Sequence, residues 1–308
     1  MSDLYDAANQ KLMQKVASGD PVQMKQASDT LGDYVKMKLR EDSFSDKIIV
    51  PETITDADID RQVWTDKPWK IVDREPGSPA AVTIPYGQLP IATYIRGSRY
   101  PIMFDRVATP KFTKDIEELR TYRMDIRQVV SDNAIKDLSA ERDGKFMQAV
   151  NSILGTPGSF VSATNTVQYK QISGGITRDT LIEAKKIMPS TPARLRPAIA
   201  LCNQITIMEL EKFGRDEMGG NLSEEVFRNG WAIADFMGMR WIITIKSDLV
   251  PDNSVYFFAS QDFLGRSYIL NDVTMNIKRE YYMLEFFAYG TFGAGIGNVA
   301  GVARADFI

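Results

Sequence analysis

Apolar residues in the first fifty positions recur at steps of three and four. Leu4, Ala8, Leu12 and Lys15/Val16 mark one stripe, which predicts an amphipathic helix. A second stripe of Met24, Ala27, Leu31, Tyr34/Val35 and Leu39 follows Asp20-Pro21, where aspartate can cap and proline can take the first helical position. At residue 51 the pattern changes. Eight of the fourteen prolines, at 51, 68, 76, 79, 85, 90, 101 and 110, fall between residues 51 and 110. Short extended pieces such as WKIVDRE, AAVTIPY and IATYIRG lie between them. Proline interrupts helices and removes ladder donors, so this stretch predicts a long, irregular β-arm that has no regular sheet of its own and borrows partners. Its large rigid side chains, Trp64, Trp69, Tyr86, Tyr94 and Tyr100, are of the type that anchors subunit interfaces.

From Thr113 to Leu154 no proline occurs, acidic residues open the segment and Gly155 follows its end. This predicts either one helix of roughly 60 Å or two helices broken between Ser139 and Gly144. GSFVSATNTVQYKQISGG then reads as a strand pair and TRDTLIEAKKIM as a short helix. After the junction TPARLRP come a strand AIALC, helices NQITIMELEKF and SEEVFRN, and strands WAIADFMG, RWIITIK and SVYFFAS. The segment NDVTMNIKREYYMLEFFAYGTF is rich in β-formers, and NVAGVARADF reads as a last strand.

Between those last two segments, GTFGAGIGNVAGV packs five glycines into residues 290–302. Gly295, Gly297 and Ala300 fit the spacing of a dinucleotide fingerprint. That mechanism needs a helix, a further strand and an acidic residue about 20 positions on, and only eight residues follow Ala300. The glycines are read instead as a link between two strands, placed where positive φ or close backbone approach is required.

Composition narrows the chemistry. A chain of 308 residues with 44% hydrophobic content can bury a core. Its 37 basic and 40 acidic residues give no global field toward DNA or an anionic membrane. No run of 18 apolar residues occurs, and MSDLYDAANQ lacks the features of a signal peptide, so a soluble, non-secreted chain is expected. There is no histidine and one cysteine, Cys202. Histidine-dependent nucleophile activation, disulfides and His- or thiolate-rich zinc sites are therefore excluded, while Asp/Glu and Lys chemistry are not. Cys202, among apolar neighbours, is read as core filler. Asp56, Asp58 and Asp60 have the spacing of a calcium loop, but Arg61 and Lys67 stand where that loop needs glycine and glutamate. A solvated acidic turn is the better reading. RDEMGGN, residues 215–221, is a flexible connector. The aromatic cluster Tyr281, Tyr282, Phe286, Phe287, Tyr289 and Phe292 has only Lys278 and Arg279 beside it, so it is read as core or subunit contact rather than a base-stacking platform.

The order of these parts, down to VTMNIKREYYMLEFF, the glycine-rich link and NVAGVARADF, resembles that of tailed-bacteriophage major capsid proteins of the Hong Kong 97 type. The likeness is one of organisation and spans nearly the whole chain. It implies an α+β fold with an N-terminal helical arm at 1–50, an extended loop at 51–110 and a peripheral domain with a spine helix at 111–191. An axial domain at 192–268, peripheral-domain strands at 269–292 and a returning C-terminal strand at 293–308 complete it. The implied function is self-assembly, as hexamers and pentamers, into the icosahedral head shell enclosing double-stranded DNA. No catalysis, cofactor, metal, membrane or sequence-specific DNA contact is implied. The implied partners are other copies of the chain, a separate scaffolding protein, a portal, and decoration proteins as a further class. The implied location is the virion, and the host cytoplasm during assembly. The resemblance leaves open an encapsulin-like nanocompartment shell. Some members of the family weld subunits through a Lys–Asn isopeptide bond. Lys67, Lys70 and Asn298 are of the right type, but no motif singles them out and no crosslink is expected.

Overall fold

The computed structural model describes residues 22–26, 29, 43–60, 66–74, 83–90, 97–117, 126–210, 213 and 235–308. Of the two N-terminal helices expected, residues 22–26 and 29 are helical; the first helix, SEEVFRN and RDEMGGN lie outside the described residues. Helix α1 (Phe44–Ile48) leads into β1 (Glu52–Thr53) and a 3-10 turn at Asp56–Asp58. Strands β2 (Trp69–Arg74), β3 (Ser98–Met103), β4 (Asp105–Ala108) and β5 (Phe112–Asp115) precede the 29-residue helix α2 (Ile126–Leu154). Then come β6 (Phe160–Val161), β7 (Thr166–Val167), β8 (Tyr169–Ile172), α3 (Arg178–Lys185), β9 (Ile199–Asn203) and α4 (Gln204–Leu210). The chain closes with β10 (Asp235–Phe236), β11 (Met239–Thr244), β12 (Ser254–Phe258), α5 (Gln261–Leu264), β13 (Gly265–Glu280), β14 (Met283–Ile296) and β15 (Val302–Phe307).

Six strands form one sheet in the order β10-β11-β9-β12-β15-β8. Its central strands are unbroken apolar runs because both faces are covered. Successive side chains alternate between two cores. Ala200, Cys202, Val255, Phe257, Ala303 and Ala305 face Leu181 and Ala184 of α3 and Ile207 and Leu210 of α4. Leu201, Ile242, Tyr256, Phe258 and Val302 face Phe146, Met147, Val150 and Leu154 of α2. Burying side chains of this size stabilises by roughly 1.5–3 kcal/mol each.

The second sheet is built on a long hairpin. β13 and β14 pair from Gly265↔Ile296 to Glu280↔Met283, with irregularities between Ile269 and Thr274. β1 adds to β13, and β4 and β5 both add to β14. The first half of α2 packs Ala134 and Leu138 against Val107, Val273, Ala288 and Phe292 of this sheet. One helix therefore ties both sheets together. Over 126–154 it is unbroken, so of the two readings of Thr113–Leu154 the break near Gly144 does not occur; a Cβ there would meet only Leu249 at 3.8 Å.

Three expectations are corrected. Residues 113–115 are strand, not the first turn of the helix, because Phe112–Asp115 pair with Met283–Phe286 and a long-range ladder outweighs a helical local pattern. The arm has a ladder of its own: β2 and β3 pair from Trp69↔Met103 to Arg74↔Ser98, with Pro101 opposite Ile71. A two-stranded ladder leaves one edge of each strand unbonded, where a missing N–H costs little. The glycine-rich segment, finally, is strand for most of its length: Gly290, Gly293 and Gly295 lie inside β14, none of them, nor Gly297, takes positive φ, and only its end, a 3-10 turn at Val299–Gly301, links β14 to β15 of the other sheet.

Candidate assembly surface

The arm is anchored at its root and exposed at its tip. At the root, Phe104 N donates to Pro68 O at 2.9 Å, which joins the start of β2 to the end of β3. The Asp105 carboxylate then bridges Lys67 Nζ at 2.6 Å and Lys145 Nζ of α2 at 3.0 Å. The hydrogen bond from Lys67 holds the Asp105 carboxyl below the usual carboxylate range, with Lys145 adding to it. Beside this clamp Ile102 and Phe104 are buried with Ile54 and Tyr268, and Val72 and Tyr100 pack against them. Lys70 sits 4.8 Å from the Tyr268 ring centre.

At the tip, residues 83–90 are all exposed. Gln88 N donates to Pro85 O at 3.2 Å, and Gly87 has φ 88°. Proline early and positive-φ glycine at the third position make a tight turn that presents the residue between them. That residue is Tyr86, which is wholly exposed and flanked by exposed Ile84 and Leu89.

The five interface residues expected from sequence thus divide. Tyr86 stands free in solvent. Trp69 and Tyr100 are half-buried in the root; the buried Trp69 Nε1 has no hydrogen-bond acceptor among the described residues, and burial pushes the Tyr100 hydroxyl up. Trp64 and Tyr94 lie outside the described residues.

A second projection was not singled out as a turn by its sequence. β13 and β14 are joined by Tyr281 and Tyr282 alone, and Tyr281 takes φ 54°. A bulky side chain in the left-handed region is disfavoured, yet this one is held by Arg279 Nε donating to Tyr281 O at 3.2 Å and Ile116 N to Tyr282 O at 2.9 Å. Both rings are exposed, Tyr281 by 86%. The rest of the aromatic cluster follows strand alternation. Phe286 and Phe292 are buried, with the Arg142 guanidinium 4.2 Å from the Phe292 ring centre. Phe287 and Tyr289 stack on the other face at 6.2 Å.

The remaining candidates find structural roles. Asp58 accepts from Thr55 N at 3.0 Å and Thr55 Oγ1 at 2.9 Å, and Asp60 accepts from Ile71 N at 2.8 Å. These carboxylates cap backbone rather than converge on one point. After Gly295 and Gly297 comes a 3-10 turn, Val299–Gly301, then β15, so no helix N-terminus receives a pyrophosphate there. Asn298 Oδ1 accepts from Ala300 N at 3.1 Å within that turn. Cys202 is buried in the six-stranded sheet, and desolvation pushes its thiol up to about 12.

No family model matches the chain, and no curated protein matches it. Solved structures do. The chain is similar to the capsid of cyanophage P-SCSP1u, at 12% identity over 87% of each chain with a TM-score of 0.59. It is similar to a structure from Mycobacterium phage Ogopogo at 13% identity, over 87% of this chain and 92% of that one, with a TM-score of 0.53. A virus-like particle from Pyrococcus furiosus matches at 14% identity over 90% and 98%, with a TM-score of 0.51. At such identities the likeness is one of fold: the chain has the α+β architecture of the Hong Kong 97 type that its order of parts implies.

Proposed function

We propose that this chain is a major capsid protein, self-assembling as hexamers and pentamers into the icosahedral head of a tailed bacteriophage around double-stranded DNA. The observation that carries the reading is an arm clamped to its own body at Asp105 yet offering Ile84, Tyr86 and Leu89 to solvent at its tip. Large apolar side chains on an anchored projection have a use when a neighbouring copy receives them. The shared fold with phage capsids supports it. A net charge of −3 fits a container that confines DNA mechanically and does not rely on neutralising phosphates. Scaffolding, portal and decoration proteins, assembly in host cytoplasm, and domain bounds near residues 50, 110, 191, 268 and 292 belong to the same proposal.

Purified chain should form closed particles in native mass measurement and electron microscopy. A monomer under every condition overturns the reading. The second reading is an encapsulin-like compartment shell; the fold likeness to the Pyrococcus furiosus virus-like particle fits both, and the likeness to phage structures favours the first. Particles from the native source holding protein cargo, with no DNA and no unique portal vertex, would select the second.

A further inference from the structure

We propose that Gly293, Gly295 and Gly297 are positioning residues for the arm: they set the pitch at which it leaves the body, and through that pitch the curvature of the shell. The second half of this inference rests on the assembly reading above.

Gly293 and Gly295 lie on one face of β14 at a period of two, Gly297 continues that spacing one residue past its end, and β3 lies across that face. An added Cβ at Gly297 would stand 2.7 Å from the Tyr100 ring; at Gly295, 2.7 Å from Ile102 Cγ1; at Gly293, 2.8 Å from Met103 O and 3.0 Å from Phe104 Cδ1. Each step of two along Tyr100, Ile102 and Phe104 is thus matched by a step of two backwards along the glycines. The pairing is knob to flat. Ile102 and Phe104 are 1% and 2% exposed, so neither has room to move aside.

Carbon atoms in ordinary contact lie about 3.5–4.0 Å apart, so a Cβ at 2.7 Å lifts the strand by about 1 Å. The lift cannot be uniform. Beyond Phe104 the arm is clamped by Asp105 to Lys67 and Lys145, which makes that end a fulcrum. Raising β3 at Ile102 or Tyr100 therefore tilts the arm and moves its tip further than its root. Subunits that reach a neighbour at an altered angle close at a different curvature or fail to close.

The test is Gly295→Ala, with spin labels at Tyr86→Cys and Phe160→Cys. Both positions are exposed, and Cys202 is buried and silent. In the unassembled subunit, pulsed dipolar spectroscopy should show the mean label distance shifted by more than the roughly 1 Å imposed at the root. Adding Ile102→Ala, which removes the colliding carbon, should return the distance toward the wild-type value. Particles of Gly295→Ala should show a changed or broadened diameter by cryo-electron microscopy. If Gly295→Ala does not fold, Gly297→Ala, which presses on the half-buried Tyr100 side chain, gives the same readout. An unchanged distance in a folded variant overturns the seat, as does a Gly295→Ala shift that survives Ile102→Ala. A shifted distance with wild-type particle diameters overturns the link to curvature. Wild-type protein that never closes particles sinks the assembly reading and leaves the distance result standing.

Discussion

The carboxylate of Asp143, wholly buried midway along α2, accepts a hydrogen bond from the Ser43 hydroxyl at 2.8 Å. It also accepts from Ser45 N at 3.0 Å, from Phe44 N at 3.4 Å and from Lys246 Nζ at 2.7 Å. One side chain thus caps the start of α1 and pairs the lysine beyond β11. Its neighbour Arg142 pairs with buried Asp46 of the same short helix. The N-terminal segment therefore joins the body at Ser43–Ile49, at the point where the two halves of α2 meet different sheets.

Removing that carboxylate strands a cation and two helix N–H groups. Breaking one partner of a buried pair costs about 3–5 kcal/mol, so Asp143→Ala should lower the unfolding free energy of the unassembled subunit by about 3 kcal/mol in urea titration. Asp143→Asn keeps an acceptor for Ser43 and loses the charge facing Lys246, and should cost less. Equal losses for the two variants would show that charge, not hydrogen bonding to α1, is the whole effect.

Cys202 should be unreactive in the native state. With its thiol pushed up to about 12 by burial, the thiolate fraction at neutral pH is on the order of one in a hundred thousand, and only the thiolate attacks. A thiol reagent should label nothing in native protein and one equivalent in urea. Labelling at comparable rates in both would contradict the packing of β9.

How far these arrangements are legible in the sequence depends on how local their causes are. VTMNIKREYYMLEFF reads as long strands because β-branched and aromatic residues dominate it, and the structure places it in β13 and β14. The turn within it is hidden, because Tyr281 occupies a left-handed position with none of the glycine or asparagine that marks such turns. The strand at Phe112–Asp115 is hidden for another reason: its partners Met283–Phe286 are remote in the chain, and short windows do not carry such pairing. Close approach was a correct reason for the glycines at 293–297, whereas positive φ was not; the composition is the same for both. The exposed tip at Tyr86 is readable from Pro85 and Gly87. The Asp143 clamp is not, since an acidic residue in a helical stripe looks like a solvated face until four donors from other segments surround it.

Acid should loosen the arm before it unfolds the body. Asp105 has its carboxyl held below the usual range by Lys67 first and Lys145 second. A depressed carboxyl contributes stability that is full above its unfolded value, near 4, and is lost as pH falls through the lower folded value. Hydrogen-exchange protection of β2 and β3, relative to the intrinsic rate, should therefore fall below about pH 4 while β9 and β12 remain protected. Asp105→Asn should show the faster arm exchange already at pH 7 and lose the acid step. A wild-type arm as protected at pH 3 as at pH 7 would remove Asp105 from the clamp.

The sharpest division of labour lies along the arm itself. Trp69 belongs to the root, where it pairs with Met103 and is half-buried; Tyr86 has no such setting and is wholly exposed at the tip. Truncating a buried large aromatic removes packing inside one subunit and typically costs about 3–5 kcal/mol when burial is complete, less for a half-buried ring. Truncating an exposed one changes the lone subunit by under about 0.5 kcal/mol. Interface anchors behave the other way, losing about 2 kcal/mol or more of association free energy each, and in a closed assembly the loss repeats at every copy. Trp69→Ala should therefore lower the melting temperature of the unassembled chain as well as particle yield. Tyr86→Ala should leave melting unchanged and still cut particle yield, and a Tyr86→Phe variant that keeps the ring should restore most of it. Normal particle yield from Tyr86→Ala would mean that the tip is not received by a neighbour, and the arm would then act only through its root.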